Sequence, residues 1–369
     1  MVNLFDYRRH LPEIEDEVLA AVKRVLHSNR LVLGPETEQF ESEFAAFTGS
    51  KYAVGVGSGT SALQLALAAL DIAQGDEVLT VSNTCCPTIA AIRLTGAVPV
   101  FVDVGESDLL INPDLLADAV TTRTRCILPV HLWGHSADMH AIGKIAQEYD
   151  LVVVEDCAQA HGTRCNEDHA GTFGEAGCFS FYPTKNIGAF GDAGAVITDD
   201  EALYDRLKRT RVYGYDDRGI SMEEGNNARI NEIQAAILRI KLSRYSEWLA
   251  RRIETASHYN ERIVNPAVTK PICAETCTPS YHQYVVRSDH RDQLATWLRQ
   301  HDILTGIHYP VPVHLMPAYR FLDDGSLDLP VTTREARRIL SLPIHDALTH
   351  EEVDHVISTI NAFTPPTGT

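Results

Sequence analysis

The chain has 369 residues, 44% of them hydrophobic and 22% charged, with a net charge of −18. That length fits two domains, or one large domain with an appendage. The negative balance argues against a broad basic face for nucleic acid or anionic lipid, so an anionic ligand has to be held by local groups.

The first residues, MVNLFDYRRHLPEIEDEV, are charged throughout and lack a signal peptide's apolar core; no apolar run is long enough to span a bilayer. A cytoplasmic protein is expected. From about residue 50 to 200, seven short apolar runs follow one another: KYAVGVGS, DEVLTVSN, VPVFVDV, RCILPVHLWG, LVVVEDC, GCFSFYPT and GAVITDD. Between several of them lie helical patterns: SALQLALAAL, PTIAAIRLTG, NPDLLADAV and DMHAIGKIAQEYD. Near-continuous apolar strands separated by helices predict an α/β fold, with a mainly parallel seven-stranded sheet between helices. The last two runs have no helix between them, which suits an antiparallel pairing. A long helix is predicted over 231–263, where Leu238, Leu242, Tyr245, Leu249 and Ile253 step by four or three. NPAVTKPICAETCTPS then reads as a connecting loop. A smaller α+β region follows, with strand YHQYVVRS, helix RDQLATWLRQ and a last helix opening at Thr349 with the spacing of a capping box. The expected division is a large domain over 1–245 and a small C-terminal domain over 246–369.

The eight cysteines form no C-x-x-C pair and are read as small buried or surface residues, neither disulfides nor zinc ligands. The sixteen histidines form no H-E-x-x-H arrangement, and no metal is expected.

Three strand ends carry chemistry. GSGTSALQLAL follows the first strand: Gly57 and Gly59 permit a tight turn, and the helix behind it aims free N–H groups at an anion. Ser58, Thr60 and Ser61 are equally ordinary helix caps. LVVVEDCAQAHG ends in Glu155 and Asp156, which point to opposite faces, so one faces the crevice at the sheet's carboxyl edge. CFSFYPTKNIGAFGDAGAVIT holds a single lysine, Lys185, behind an aromatic approach. A lysine amine forms a Schiff base with an aldehyde. Pyridoxal 5'-phosphate offers an aldehyde, a phosphate and a pyridine nitrogen that needs an acidic partner. Lys185, the Gly57–Thr60 turn and Asp156 supply one group for each.

With these segments in this order, together with GNNARINEIQAAIL and HYPVPVHLMPAY, the chain resembles the DegT-type sugar aminotransferases, a branch of the fold-type I pyridoxal-phosphate enzymes. The resemblance covers nearly the whole chain. It implies Lys185 as the internal-aldimine lysine and proton carrier, pyridoxamine phosphate in the half-reaction, and Asp156 as partner of the ring nitrogen. It implies Gln159 near the ring hydroxyl, and Gly59, Thr60 and Ser180 on the phosphate. Asn227 would reach the phosphate of a neighbouring subunit, hence a homodimer with shared active sites. Cys85 stands where the family often has an aromatic residue against the cofactor ring, and Ala193 where glycine is frequent. Some relatives carry histidine in place of the lysine and dehydrate; Lys185 is intact, so transamination is expected.

The acceptor implied is a nucleotide-linked 3- or 4-keto-6-deoxy sugar, the donor L-glutamate, and the setting deoxyaminosugar biosynthesis. His308, Tyr309, His314 and Tyr182 are the candidate substrate residues, with Tyr213 a weaker one. Arg206, Lys208, Arg209, Arg211, Arg218 and Arg229 are either a diphosphate site or a solvated helix face. Three alternatives stay open: a ketocyclitol aminotransferase, a non-catalytic cofactor-binding regulator, and a phosphate-binding protein without a Schiff base.

Overall fold

The computed structural model describes residues 1–323, 325 and 327–366. Two helices come first, α1 (Leu11–His27) and α2 (Pro35–Thr48). Alternating elements follow: β1 (Tyr52–Val56), α3 (Gly59–Ala69), β2 (Glu77–Val81), α4 (Cys86–Leu94), β3 (Val98–Val102), α5 (Leu116–Ala119), β4 (Thr124–Ile127), α6 (Met139–Tyr149) and β5 (Val152–Asp156). The short strands β6 (Arg164–Cys165) and β7 (Asp168–His169) precede β8 (Ala176–Ser180) and β9 (Gly194–Thr198). Then come α7 (Glu201–Thr210), α8 (Glu232–Arg262), β10 (Cys277–Thr278), β11 (Tyr284–Arg287), α9 (Arg291–Gln300), α10 (Pro330–Glu335), β12 (Ile339–Leu342) and α11 (His350–Ala362).

All seven apolar runs become strands of one sheet, in the order β1-β9-β8-β5-β4-β2-β3. β9 pairs antiparallel with both β1 and β8, while the remaining pairs are parallel. The tight β8–β9 connection is therefore the antiparallel one. β2 and β8 are buried at every residue because helices cover both faces. On one face α3, α4 and α6 bury Leu63, Leu67, Ile89 and Ile142; on the other α1, α2 and α8 bury Ile14, Phe40, Phe44 and Leu238. α1 does so through one stripe, Ile14, Val18, Ala21 and Val25, spaced by four, three and four.

A third core lies at the end of α8. Ala256 and Tyr259 pack with the antiparallel β11–β12 pair, with Leu294 and Leu298 of α9, and with Val356 and Ile360 of α11. The expected capping box at Thr349 is present: its hydroxyl accepts from Glu352 N at 3.2 Å, and Glu352 accepts from Thr349 N at 3.0 Å. Among the described residues no helix is long and apolar enough to cross a membrane.

Two expectations are corrected. NPDLLADAV yields only a turn and the four-residue α5, since Leu116 alone is buried and Val120 turns extended. The cysteines are not all free: Cys165 and Cys277 form a disulfide. The segment read as a loop contains β10, which pairs antiparallel with β6 and sets Cys277 opposite Cys165.

Candidate active site

The carboxyl ends of β1, β5 and β8 open into one cavity of about 450 Å³. β1 leads into α3, whose N-cap Ser58 accepts from Ser61 N at 3.0 Å. The amides of Gly59 and Thr60, in the first turn, have no intrahelical partner. Ser58 is thus the cap, and Gly59 and Thr60 remain for a ligand; both line the cavity. Gly59 lies against Ser180 at the end of β8, where a Cβ added at residue 59 would sit 2.6 Å from Ser180 Cβ. Only glycine lets the helix start approach the strand end so closely.

Asp156 ends β5 and faces the cavity. Its carboxylate accepts from Thr88 Oγ1 at 2.8 Å and from Ala158 N at 3.1 Å. Thr88 is tied in turn to Thr84 at 2.8 Å. Burial raises the Asp156 pKa, and these hydrogen bonds together with Lys185 partly offset it. Glu155 points the other way, as the strand's alternation requires. It accepts from Gly171 N, Phe173 N and Gly174 N, each at 2.8 Å, and meets His131 Nε2 at 2.8 Å. That carboxylate is a fully buried brace and does not line the cavity.

Lys185 stands in the loop joining β8 to β9. The loop is pinned by Phe181 N to Ala193 O and Ala189 N to Phe181 O, both 2.8 Å, and by Lys241 Nζ on Gly188 O. Phe179 and Phe181 are fully buried below it. Burial lowers the Lys185 pKa, against the opposing pull of Asp156 and Cys85, so its neutral amine is easier to reach.

Gln159 accepts from Trp133 N at 2.7 Å and donates to Tyr309 Oη at 3.0 Å. Trp133 Nε1 holds His308 O at 2.9 Å, and His308 Nδ1 meets Ser341 Oγ at 2.8 Å. His308, Tyr309, Cys85 and the half-exposed Tyr182 all line the cavity. Burial raises the Tyr309 pKa, with Cys85 and Asp156 adding to it.

Three expected groups lie elsewhere. His314 is buried against Ser82, Nδ1 to Oγ at 2.7 Å, and does not line the cavity. It fastens the 313–315 turn to the end of β2. Asn227 is also outside the cavity and accepts from Arg229 Nε at 2.9 Å. The basic cluster is engaged within the chain. Arg206 pairs with Asp71 and Glu223, Arg209 with Glu223, Arg211 with the buried Glu41, and Arg218 with Asp216. Lys208 lies over the Tyr204 ring, and Arg229 over the Tyr213 ring.

The structure adds Thr84, Thr88, Asp192, His282 and Gln283 to the cavity wall. Thr84 and Thr88 follow a strand end, a signal available in the sequence. His282 meets Asn186 Oδ1 through Nδ1 at 3.0 Å, directly beside Lys185 in sequence. Its pKa is pushed well down, first by burial and then by Lys185. No local pattern marked it, because nearly a hundred residues separate it from the lysine loop.

Comparison with known proteins gives one consistent result. The model of the DegT/DnrJ/EryC1/StrS aminotransferase family matches residues 12–361. The dTDP-3-amino-3,4,6-trideoxy-alpha-D-glucose transaminase of Streptomyces venezuelae is 43% identical over 363 residues, 98% of this chain and 96% of that protein. The crystal structure of S. venezuelae DesV in complex with a ketimine intermediate superposes with a TM-score of 0.95 at 43% identity, covering 98% of this chain and 97% of that one. The structure of NtdA from Bacillus subtilis with bound cofactor PMP gives 0.87 at 27% identity, covering 97% and 82%.

Proposed function

The chain belongs to the DegT/DnrJ/EryC1/StrS aminotransferase family, and from that premise we propose that it moves an amino group from L-glutamate to a nucleotide-linked 3- or 4-keto-6-deoxy sugar, with pyridoxal 5'-phosphate as cofactor. The observation that carries this reading is the convergence of three groups on one cavity. They are an amine with lowered pKa at Lys185, a buried carboxyl at Asp156, and a helix start packed on Ser180 through Gly59.

The cofactor's three functional groups fit this donor set. Lys185 would hold the aldehyde carbon, Asp156 the ring nitrogen, and Gly59, Thr60 and Ser180 the phosphate. Gln159, already fixed by Trp133 and Tyr309, would meet the ring's edge, and Cys85 its face. When bound, pyridoxal phosphate supplies an aldehyde and a protonated ring that draws electrons from the substrate carbon.

The chain's own residues do the rest. Desolvation leaves Lys185 Nζ free to take a proton from one carbon and return it to another. A cation beside Asp156 would favour its carboxylate over the protonated form that burial promotes, so the ring's proton and the Asp156 charge sustain each other. Thr88 and Ala158 N keep that carboxylate in place without reorganisation. His308, Tyr309 and Tyr182, on the cavity wall, would meet the sugar or the donor's carboxylate. The working unit is a homodimer in the cytoplasm, with Asn227 directed to the partner's site. Residues 1–245 and 246–369 are taken as its two domains.

The test is amino transfer from L-glutamate to nucleotide-linked 3-keto and 4-keto hexoses and to free cyclic ketones, followed by mass spectrometry of the amine. An aminated nucleotide sugar supports the proposal. Turnover on free cyclic ketones alone would favour a ketocyclitol aminotransferase. Binding of cofactor without turnover on any acceptor would favour a regulator.

A further inference from the structure

α8 and α11 lie side by side over the third core, and a ladder of polar side chains joins them. Arg262 Nη1 pairs with Asp354 Oδ1 at 2.7 Å. Beyond it, Asn361 donates to Arg262 O at 2.8 Å and accepts from Val264 N at 2.9 Å. Glu254, His258 and Arg262 recur every four residues on α8, and His350 and Asp354 do so on α11, so each set forms one stripe. The rung next to Arg262–Asp354 is therefore built from Glu254, His258 and His350.

That rung has a different character. Glu254 Oε1 and His258 Nε2 are 3.9 Å apart, beyond hydrogen-bond reach. The His258 and His350 rings meet at 81° with centroids 6.2 Å apart. One donor atom from each of the three residues lies within 4.8 Å of the other two. We propose that Glu254, His258 and His350 form a site for a divalent transition-metal ion of the zinc class, which clamps the start of α11 to α8.

Chemistry selects the class. Two imidazoles and one carboxylate suit zinc, cobalt, nickel or copper; magnesium and calcium favour all-oxygen sets. Bonds of about 2.0–2.2 Å in a tetrahedral arrangement place donors roughly 3.3–3.6 Å apart. The present separations need small side-chain rotations. His258 and Glu254 are free to make them, being 34% and 58% exposed. The backbones are already placed. The capping box fixes the first turn of α11, and Arg9 holds Glu352 at 2.6 Å. The ladder fixes the adjacent rung. Three protein donors leave a coordination position for water, and the net charge of −18 favours cation approach. None of the three residues lines the active-site cavity, so the site is independent of amino transfer.

The test is zinc binding to the cofactor-loaded protein, read by competition with a chromophoric chelator and by thermal unfolding. The expected result is one zinc per chain at micromolar affinity, unaffected by millimolar magnesium, with a raised unfolding midpoint. His258→Ala with His350→Ala should weaken binding at least tenfold and abolish the shift in midpoint. Glu254→Gln should weaken binding less. Both variants should keep full amino transfer. Equal zinc affinity in parent and double variant would overturn the proposal, as would no uptake by the parent below about 0.1 mM.

Discussion

Gly59→Ala tests the phosphate cradle through geometry alone. A Cβ at residue 59 would stand 2.6 Å from Ser180 Cβ, 3.1 Å from its Oγ and 3.2 Å from its Cα. Relief to an ordinary carbon–carbon contact of about 3.5 Å requires a displacement of roughly 1 Å. Rotating the serine cannot supply it, because Cβ and Cα stay in place. β8 is buried at every residue, so the start of α3 has to move. That helix is packed through Ala62, Leu63, Leu65, Ala66 and Leu67, and overpacking of this kind costs about 1–3 kcal/mol. The shift also draws the amides of Gly59 and Thr60 away from the phosphate they are proposed to hold. Loss of one charge-assisted hydrogen bond, about 1.5–3 kcal/mol, weakens binding roughly 10- to 100-fold. The assay titrates cofactor-free protein with pyridoxal phosphate and, separately, with pyridoxal. Affinity for the phosphorylated form should fall by that factor, and affinity for pyridoxal should change little. Gly143→Ala is the control, on α6 with nothing within 4 Å of the added Cβ. A Gly59→Ala protein that binds pyridoxal phosphate within threefold of the parent would mean that the close approach of Gly59 to Ser180 does not shape the phosphate site.

Asp156→Asn should retain the cofactor but lower kcat at least 100-fold, since an amide cannot balance the ring's charge; near-parent rates would mean that another group serves the nitrogen. Burial holds His135, His169 and His345 at about 4, against an ordinary value of 6.5. Between pH 6.5 and 4 the unfolded chain binds more protons than the folded one. Stability contributed by the neutral rings is thus present above 6.5 and lost as pH falls through that window, by up to about 1.4 kcal/mol per pH unit for each ring. Urea midpoints at pH 7 and 5 measure this, and His135→Asn should reduce the slope; a pH-independent midpoint contradicts it. The Cys165–Cys277 disulfide spans 112 residues, so reduction should destabilise the parent by about 2–4 kcal/mol and leave Cys165→Ser unaffected by reductant. Identical unfolding curves with and without reductant would contradict that.

The residues legible in the sequence are those whose placement is decided locally. The seven apolar runs had to be buried strands, and the i, i+4 stripe of α8 had to be a helix, because few other arrangements hide those side chains. Asp156, Ser180 and the Gly59–Thr60 turn were legible because chain direction brings the carboxyl ends of β5, β8 and β1 to one edge. What long-range packing decides was not legible. Cys277 finds Cys165 through β10, a two-residue strand inside a proline- and threonine-rich stretch. His282 enters the cavity from the start of the run read as strand YHQYVVRS, and nothing in that run's alternation points to the lysine loop. His314 lies close to His308 and Tyr309 in sequence, yet its ring turns to Ser82, which no spacing reveals. The arginines of RLKRTR had the charge for a diphosphate, but Asp71, Glu223 and Glu41 take up three of them, and those acids lie well away in sequence.

The role of Lys185 is read most directly from the site of covalent attachment. The protein is incubated with pyridoxal phosphate and reduced with borohydride, and its peptides are mapped by mass spectrometry. One modified residue per chain, Lys185, is expected, and no modification when L-glutamate in excess is added before reduction. Attachment at another lysine, or an unmodified Lys185 under saturating cofactor, would contradict it.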